Sequence, residues 1–435
     1  MLVRVPVLLP LVALFASGAE VRVVDALNGP FVDIQAAVDA SADGDVVLVK
    51  SGTYSSVAIV ARAVAVVADA GAVVDVQGSL HVRELAPHQT VLVAGLSTRG
   101  NYGSVTDSNG FRASECLGSV RVQDCVFQGG STNVTFSPEL PDGLQAGARI
   151  RACADVLIAR ARIVGGHLPG GYGGYPPMPR GGSAVDVGAA RVALQDVNAG
   201  GANGGSCFSG CWDASSGGHG MFAREGSEIF AQAGRFVGGN GGRAFIGPVA
   251  WGGDGGYGLV LATTCPEASI ARLLGPTLAG GAAGTGNCAI FCNPQDYDGS
   301  QGFPMSAYSC GTIQMLVGSA PMLSAPAVMR AGGTLPLTFT SSPGDVLWLR
   351  IAGETDHTWD PIRNGMRLVR RGLPERWLLI GAVGGSGQIV HHLPVGPLPP
   401  ATRARWAHMQ VQAQRAGGVM QLGAASSFVV LDASL

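Results

Sequence analysis

The chain has 435 residues, among them 67 Gly, 25 Pro and 9 Cys, with only 13 % charged side chains. An apolar share of 47 % is enough for a large core and excludes wholesale disorder. With 28 basic against 30 acidic residues, the net charge of −2 excludes nucleic-acid binding by bulk charge.

The N-terminus reads as a secretory signal. Arg4 supplies the positive start, Pro6 to Ala16 a short apolar run, and Ser17, Gly18 and Ala19 the small residues before a cut. The run falls short of the roughly 20 residues that span a bilayer. Residues 1–19 are therefore expected to be removed. The mature protein is expected to lack a membrane span and to act as a secreted, extracellular or cell-surface protein. Nine cysteines in an exported chain predict disulfides with one thiol over. Cys207 with Cys211 and Cys288 with Cys292, each four apart in Gly-rich sequence, are the candidates for local staples. Cys125, beside Val126, reads as a small core residue.

The first element in chain order is a helix, because Phe31, Ile34, Ala37 and Val38 make one apolar stripe at helical spacing. Gly44 stops it, and Val46 to Val49 follows as a fully apolar strand before Gly52. The long valine-rich stretch from Val57 to Val76 alternates like strands. A repeat then takes over. Apolar pairs at i and i+2 recur as Val120/Val122, Val156/Ile158, Val192/Leu194, Ile229/Ala231 and Ala268/Ile270, each followed by a Gly-Gly. A second short strand precedes each pair, as at Phe111–Ser114, Ala148–Arg151 and Ser183–Val187. Such self-similarity means stacked units that bury a core only together. The Gly-rich inserts read as tight turns and excursions that exploit glycine's conformational freedom.

Residues Phe31 to Tyr54, with the helix, the Asp43-Gly44-Asp45 turn, the Val-Val-Leu-Val strand and Gly52-Thr53-Tyr54, resemble the N-terminal entry of right-handed parallel β-helix proteins of the pectin-lyase-like superfamily. The resemblance covers residues 20–315. It implies an all-β fold, a right-handed parallel β-helix whose N-terminal helix caps an open sheet edge. It does not imply one function, since the fold carries lyases, hydrolases, esterases and adhesins.

Near residue 315 the beat stops and prolines 321, 326, 336 and 343 intervene. Alternating runs at Thr334–Thr340, Val346–Ile351, Trp377–Val383, Gln388–Leu393, Arg405–Gln414 and Val419–Leu431 predict a small antiparallel β-sandwich over 316–435. Trp348, Trp359, Trp377 and Trp406 read as its core aromatics. From Pro394 onward the sequence is similar to C-terminal modules of secreted planctomycete proteins, which implies attachment or sorting.

Chemistry is fainter. Gly218-His219-Gly220 resembles one tripeptide of the polygalacturonase branch, but the Asn-x-Asp, Asp-Asp and Arg-x-Lys motifs of that branch have no counterpart here. A His in such a Gly-rich turn otherwise reads as solvent-exposed. Lyase chemistry needs a base beside a neutralised uronate, and hydrolysis a pair of carboxylates. His219, Arg243, Asp213, Asp254 and Arg224 fall at corresponding points of consecutive repeats and are the catalytic candidates. Tyr172, Tyr175 and Trp251 are candidates for stacking on sugar faces. Asn293, Asp296 and Asp298 are oxygen donors suited to Ca2+, without the spacing of an EF-hand loop; no other cofactor is indicated. The glycine runs carry no Lys-Ser/Thr and are not phosphate loops.

The sequence thus points to an exported scaffold, or a glycan- or surface-interaction protein, without an identifiable catalytic site. Its partner would be a polysaccharide or a cell-surface component. The alternative is a polysaccharide lyase or glycoside hydrolase acting on acidic polysaccharide in the lateral groove.

Overall fold

The computed structural model describes residues 19–101, 108–131, 145–167, 171–172, 180–209, 214–245, 249–262, 267–288, 298–308, 310–370, 375–415 and 417–435. Residues 1–18, most of the stretch expected to be a secretory signal, lie outside them. Among the described residues the protein is all-β apart from one short helix, and large parallel sheets dominate it. It divides into two compact units. One comprises Val23–Asp43 and Val47–Ala320; the other comprises Pro321–Leu435, with Gly44–Val46 and the start of the chain through Arg22.

In the first unit the helix spans Ile34–Ala40, N-capped by Asp33 and burying Ile34, Ala37 and Val38. It lies on the strand Gly52–Val60, whose one strand partner is Val74–Arg83. Gln35 completes the free edge. Its Oε1 accepts the Ala58 N–H at 2.7 Å and its Nε2 donates to the Ala58 carbonyl at 3.1 Å. The Ala58 backbone groups, which would otherwise be open to another chain, are thereby satisfied.

Beyond the helix each repeat contributes three strands. One joins a ten-stranded parallel sheet whose spatial order follows the chain from Val21–Val24 to Thr312–Met315. The other two extend a 14-stranded sheet in two runs that start from the two halves of Val74–Arg83. Val120 pairs with Val156, Val156 with Val192, and Val192 with Ile229, steps of 36, 36 and 37 residues. Each of these side chains is fully buried, and together they form one apolar column. The next step is 42, not 39, because Ile229 pairs with Ala271. The inward pair of that repeat is thus Ala271/Leu273 and not the Ala268/Ile270 that alternation suggested. Ile270 pairs with Glu228 and is only half-buried.

The strands of a repeat meet at corners that non-glycine residues turn in the left-handed region. Glu84, Glu115, Ala152, Ala189 and Glu225 form one column, and Asp124, Arg160, Asp196 and Ala233 another, with φ from 49° to 59°. Strain at these positions is tolerated because neighbouring repeats bond on both sides; at the second corner Arg160 also grips Asp124 at 2.7 and 2.9 Å.

The Gly-rich inserts are not free excursions. Each leaves as one extended limb and returns as another, and both limbs are hydrogen-bonded into a layer. Gly238, Gly241 and Ala244 donate to Ala279, Ala282 and Thr285 of the next outgoing limb. Gly239 and Gly242 donate instead to Gly218 and Ser215 of a returning limb. The bonding direction therefore repeats every three residues, the period of a polyproline-II helix, which has no internal hydrogen bonds. In the triplet Gly-Gly-X the two glycines face neighbouring backbone and X faces outward. A Cβ on Gly239 would stand 1.9 Å from the Ala202 carbonyl oxygen, and one on Gly241 1.8 Å from that of Gly253. Neither glycine has a positive φ. What glycine supplies here is the missing Cβ rather than conformational freedom.

The second unit has a five-stranded and a three-stranded sheet sharing one core. Its main strands are Thr334–Thr340, Val346–Ala352, Arg376–Ala382, Gln388–Pro394, Ala404–Gln414 and Met420–Leu431. A hairpin of Thr355–Asp360 with Gly365–Val369 and a parallel pairing of Val328–Arg330 with the last strand accompany them. The core consists of Leu335, Leu337, Phe339, Leu349, Ile351, Met409 and Phe428 among others. None of the four tryptophans belongs to it, and Trp377 is exposed, with Arg350 stacked on its ring at 5.6 Å. Those rings sit at outward strand positions, where alternation carries them away from the core.

Candidate functional site

Along the run of the 14-stranded sheet that contains Phe111–Ser114, Ala148–Arg151, Val185–Gly188 and Met221–Arg224, side chains alternate between the core and the outer face. Phe111, Ala148, Val185 and Met221 point inward and are fully buried. The next position in each strand gives the outward column Arg112, Arg149, Asp186, Phe222. Two residues on, Arg151 and Arg224 flank Gly188.

Guanidinium groups converge here on a single carboxylate. Arg151 holds Asp186 through both oxygens at 2.9 and 2.7 Å, and Arg224 and Arg149 approach it at 3.7 and 3.9 Å. Arg224 is shared with Glu225 at 3.6 Å. Gly188 is required for this arrangement, since a Cβ there would lie 2.4 Å from the Arg151 Nη1. Asp186 is wholly buried. Burial pushes its carboxyl above the usual range, while Arg151 and Arg224 pull the other way. Arg149 is pushed below the usual guanidinium range, first by burial and then, against the pull of Asp186, by Arg151, Arg112 and Arg224. The buried Nε atoms of Arg112 and Arg149 have no hydrogen-bond partner. The cluster thus carries more cationic charge and more donors than its carboxylate satisfies, which is the electrostatics of an anion site.

An aromatic column continues from it. Arg224 stacks on Phe222 at 5.5 Å, Phe222 on His219 at 5.6 Å, His219 on Tyr257 at 5.5 Å and Tyr257 on Phe303 at 5.9 Å. His219 and Tyr257 are X residues of their Gly-Gly-X limbs, which is why equivalent rings land above one another. His219 is 4 % exposed and so is not the solvent-exposed turn residue that its glycine context suggested. Its Nδ1 accepts the Tyr257 N–H at 3.0 Å, and Arg180 meets its Nε2. Burial, reinforced by Arg180, lowers its ionisation to about 3. A ring so held is neutral at ordinary pH and has its Nδ1 lone pair occupied.

The other sequence candidates scatter. Arg224 joins the Asp186 cluster. Asp254 accepts the Ser300 N–H at 2.7 Å, and Arg243 donates its backbone N–H to Ser206 at 3.3 Å. Trp251 is exposed, and its carbonyl accepts from Ala214 at 2.9 Å. Asp213, Tyr175, Asn293 and Asp296 lie outside the described residues, as do Cys211, Cys292 and the side chains of Tyr172, Cys207 and Cys288. Asp298 accepts the Gly286 N–H at 2.8 Å at the root of an insert. No group of three His, Cys, Asp or Glu suited to a metal stands together among the described residues. Cys125 is buried, with its thiol pushed up to about 12 by burial. Cys310 is disulfide-bonded to a cysteine whose side chain is not among those described.

Arg112, Arg149 and Arg151 stand on strands and belong to no sequence motif, and Asp186 is a single carboxylate in the repeat before His219. The signal was a step of 37 residues leading from Arg112 to Arg149 to Asp186.

No family model and no curated protein matches the chain. Among solved structures, a superoxide reductase (neelaredoxin) from Ignicoccus hospitalis is similar at 8 % identity over 26 % of this chain and 80 % of its own. Its TM-score of 0.15 carries no argument about fold or function. No helix among the described residues is long and apolar enough to cross a membrane.

Proposed function

We propose that the protein is an exported right-handed parallel β-helix with a C-terminal β-sandwich that binds an anionic polysaccharide on the outer face of its larger sheet, without a catalytic step. The observation that carries this reading is the convergence of Arg149, Arg151 and Arg224 on Asp186, with Arg112 alongside. Sulfate or carboxylate groups of a glycan would be drawn by the excess guanidinium charge, and the exposed Phe303 ring at the end of the aromatic column offers a face for pyranose stacking. Export is supported by the Arg4 start and the short apolar run after it. Secretion to the cell surface or medium would bring the site to such a polymer.

The test is retention on immobilised heparin, chondroitin sulfate and polygalacturonate across a salt gradient. Retention of the wild type that weakens with salt, and that Arg112→Ala/Arg149→Ala reduces at least about tenfold in affinity, supports the reading. Equal retention of both proteins, or none of either, overturns it.

One observation favours a second reading. Arg149 is pushed toward neutrality by burial and by three like charges, as a base that removes a proton from uronate C5 must be. The lyase reading predicts ultraviolet absorbance of an unsaturated uronate on one of these polymers, abolished by Arg149→Ala, in assays with and without calcium. Reducing-end release measured in parallel separates hydrolysis from both.

A further inference from the structure

We propose that Cys116 and Cys153 are a site of covalent cross-linking between adjacent repeats, closing to a disulfide when the chain folds with a small-molecule disulfide present. The two residues occupy the same place in consecutive repeats. Each lies two positions beyond the paired residues Ser114 and Arg151, just past the left-handed corner residues Glu115 and Ala152. Backbone hydrogen bonds bracket the pair, from the Glu115 N–H to the Arg151 carbonyl at 3.1 Å and from the Ala154 N–H to the Cys116 carbonyl at 2.8 Å. Parallel neighbours in such a ladder stand about 4.8 Å apart, inside the roughly 4.4–6.8 Å between Cα atoms that a disulfide accepts.

Both side chains point into the same apolar core, at 0 % and 2 % exposure. Both are free thiols in this structure. They also touch: a hydrogen bond between them holds the Cys116 thiol below the usual range and the Cys153 thiol above it. Either sulfur can open the exchange, with the same product. Cys125 supplies an internal contrast. It is equally buried in the same core and its thiol meets the Gln123 and Val93 carbonyls, as that of Cys116 meets those of Ser114 and Val82, but the corresponding residue of the next repeat, just past the corner Arg160, is Ala161.

The chemistry balances as two exchanges. The Cys116 thiolate attacks a disulfide RSSR, forming Cys116–S–S–R and releasing RS−. Cys153 then loses its proton and displaces the second RS−, and the protons leaving the two protein thiols convert both to RSH. The protein dithiol is oxidised by two electrons and RSSR is reduced by two.

The experiment refolds the full chain from reducing denaturant in a glutathione redox buffer, blocks remaining thiols with iodoacetamide, and digests with trypsin without reduction. The expected product is the tryptic peptide 113–121 joined to 152–160, with near-complete loss of both alkylated peptides, while the peptide carrying Cys125 is recovered alkylated. The joined species vanishes in Cys116→Ser, and the rise in Tm on oxidation is smaller in that variant than in the wild type. Recovery of 113–121 and 152–160 as separate alkylated peptides from folded, oxidised wild type overturns the proposal. So does either one joined to glutathione or to a different cysteine. The wild-type digest decides the matter even where the variant fails to fold.

Discussion

The strand-built repeats and the glycine limbs stack the same chain segments in the same direction, by opposite means. In the strands, Val120, Val156, Val192 and Ile229 align their side chains into a column, and contact between those side chains holds the stack. In the limbs the contact is backbone to backbone, and most positions other than X are glycine. A side-chain column can absorb a change of volume by a rotamer shift, since aliphatic groups repack at modest cost. A backbone carbonyl held by hydrogen bonds on both sides has nowhere to move. The two layers therefore differ most in what they tolerate.

Adding atoms to the glycine layer should give the largest effect. Gly239→Val places its Cβ 1.9 Å from the Ala202 carbonyl oxygen and 2.4 Å from its carbon, both backbone. The loss should exceed the roughly 1–3 kcal/mol of ordinary overpacking, because neither obstacle is the end of a flexible side chain. Gly200→Ala is the matched control, since a Cβ there meets nothing within 4 Å; it should change stability by no more than about 0.5 kcal/mol. Urea unfolding of both variants measures the contrast. Equal midpoints would mean that the limbs do not pack as tightly as the strands.

Acid comes next. Folded His219 ionises at about 3 against 6.5 for an unperturbed ring. Between those values the unfolded chain binds the extra proton, so stability is complete above pH 6.5 and falls as the pH drops toward 3. From about pH 7 to about pH 4.5 the loss should be about 2.5 kcal/mol. His219→Gln keeps an acceptor for the Tyr257 N–H and has nothing to titrate, so its stability should lose that part of the pH dependence. A wild-type slope retained in the variant would show that the ring is hydrated and the column open.

The forgiving side of the comparison is probed by Ile158→Val. Ile158 is fully buried between Val122 and Leu194. Removing one methylene there should cost only about 0.5–1.5 kcal/mol, with the midpoint shifted and the denaturant slope unchanged.

The same contrast explains what was legible in the sequence. Alternation and a period near 36 are properties of side chains in strands, so the apolar pairs, the entry helix and the six main strands of the second unit could be read directly. The slip at Ala268/Ile270 arose where the repeat lengthens by five residues, and alternation alone cannot tell two apolar pairs three residues apart from each other. Gly-Gly-X could be seen but not interpreted, because glycine serves both strained turns and close approach, and only the sign of φ and the distance to a neighbour separate the two. The Asp186 cluster was hidden for a different reason. Its members are ordinary outward strand residues, and only register brings Arg112, Arg149 and Asp186 to one place. His219 was the reverse case, conspicuous in sequence and buried in the fold.

Side chains at the X positions face outward and can add to the stack without obstructing it. Asn240 does so on both sides. Its N–H donates to the Asn203 Oδ1 at 2.9 Å, and its own Oδ1 accepts the Ala282 N–H at 2.9 Å. An amide oxygen thus supplies, at each step, the acceptor that a neighbouring carbonyl supplies to the two glycines of the triplet. Asn240→Ala removes one of these bonds at an exposed site where water can substitute, so the cost should be at most about 1 kcal/mol. Asn240→Asp keeps the acceptor and should be close to neutral. Hydrogen exchange should show the difference locally, as faster exchange of the Ala282 amide in the alanine variant while the Gly281 and Gly284 amides, which donate to Gly256 and Gly253, stay protected. Faster exchange at all three amides would mean that the X side chains hold the limbs together and the glycine contacts merely permit it.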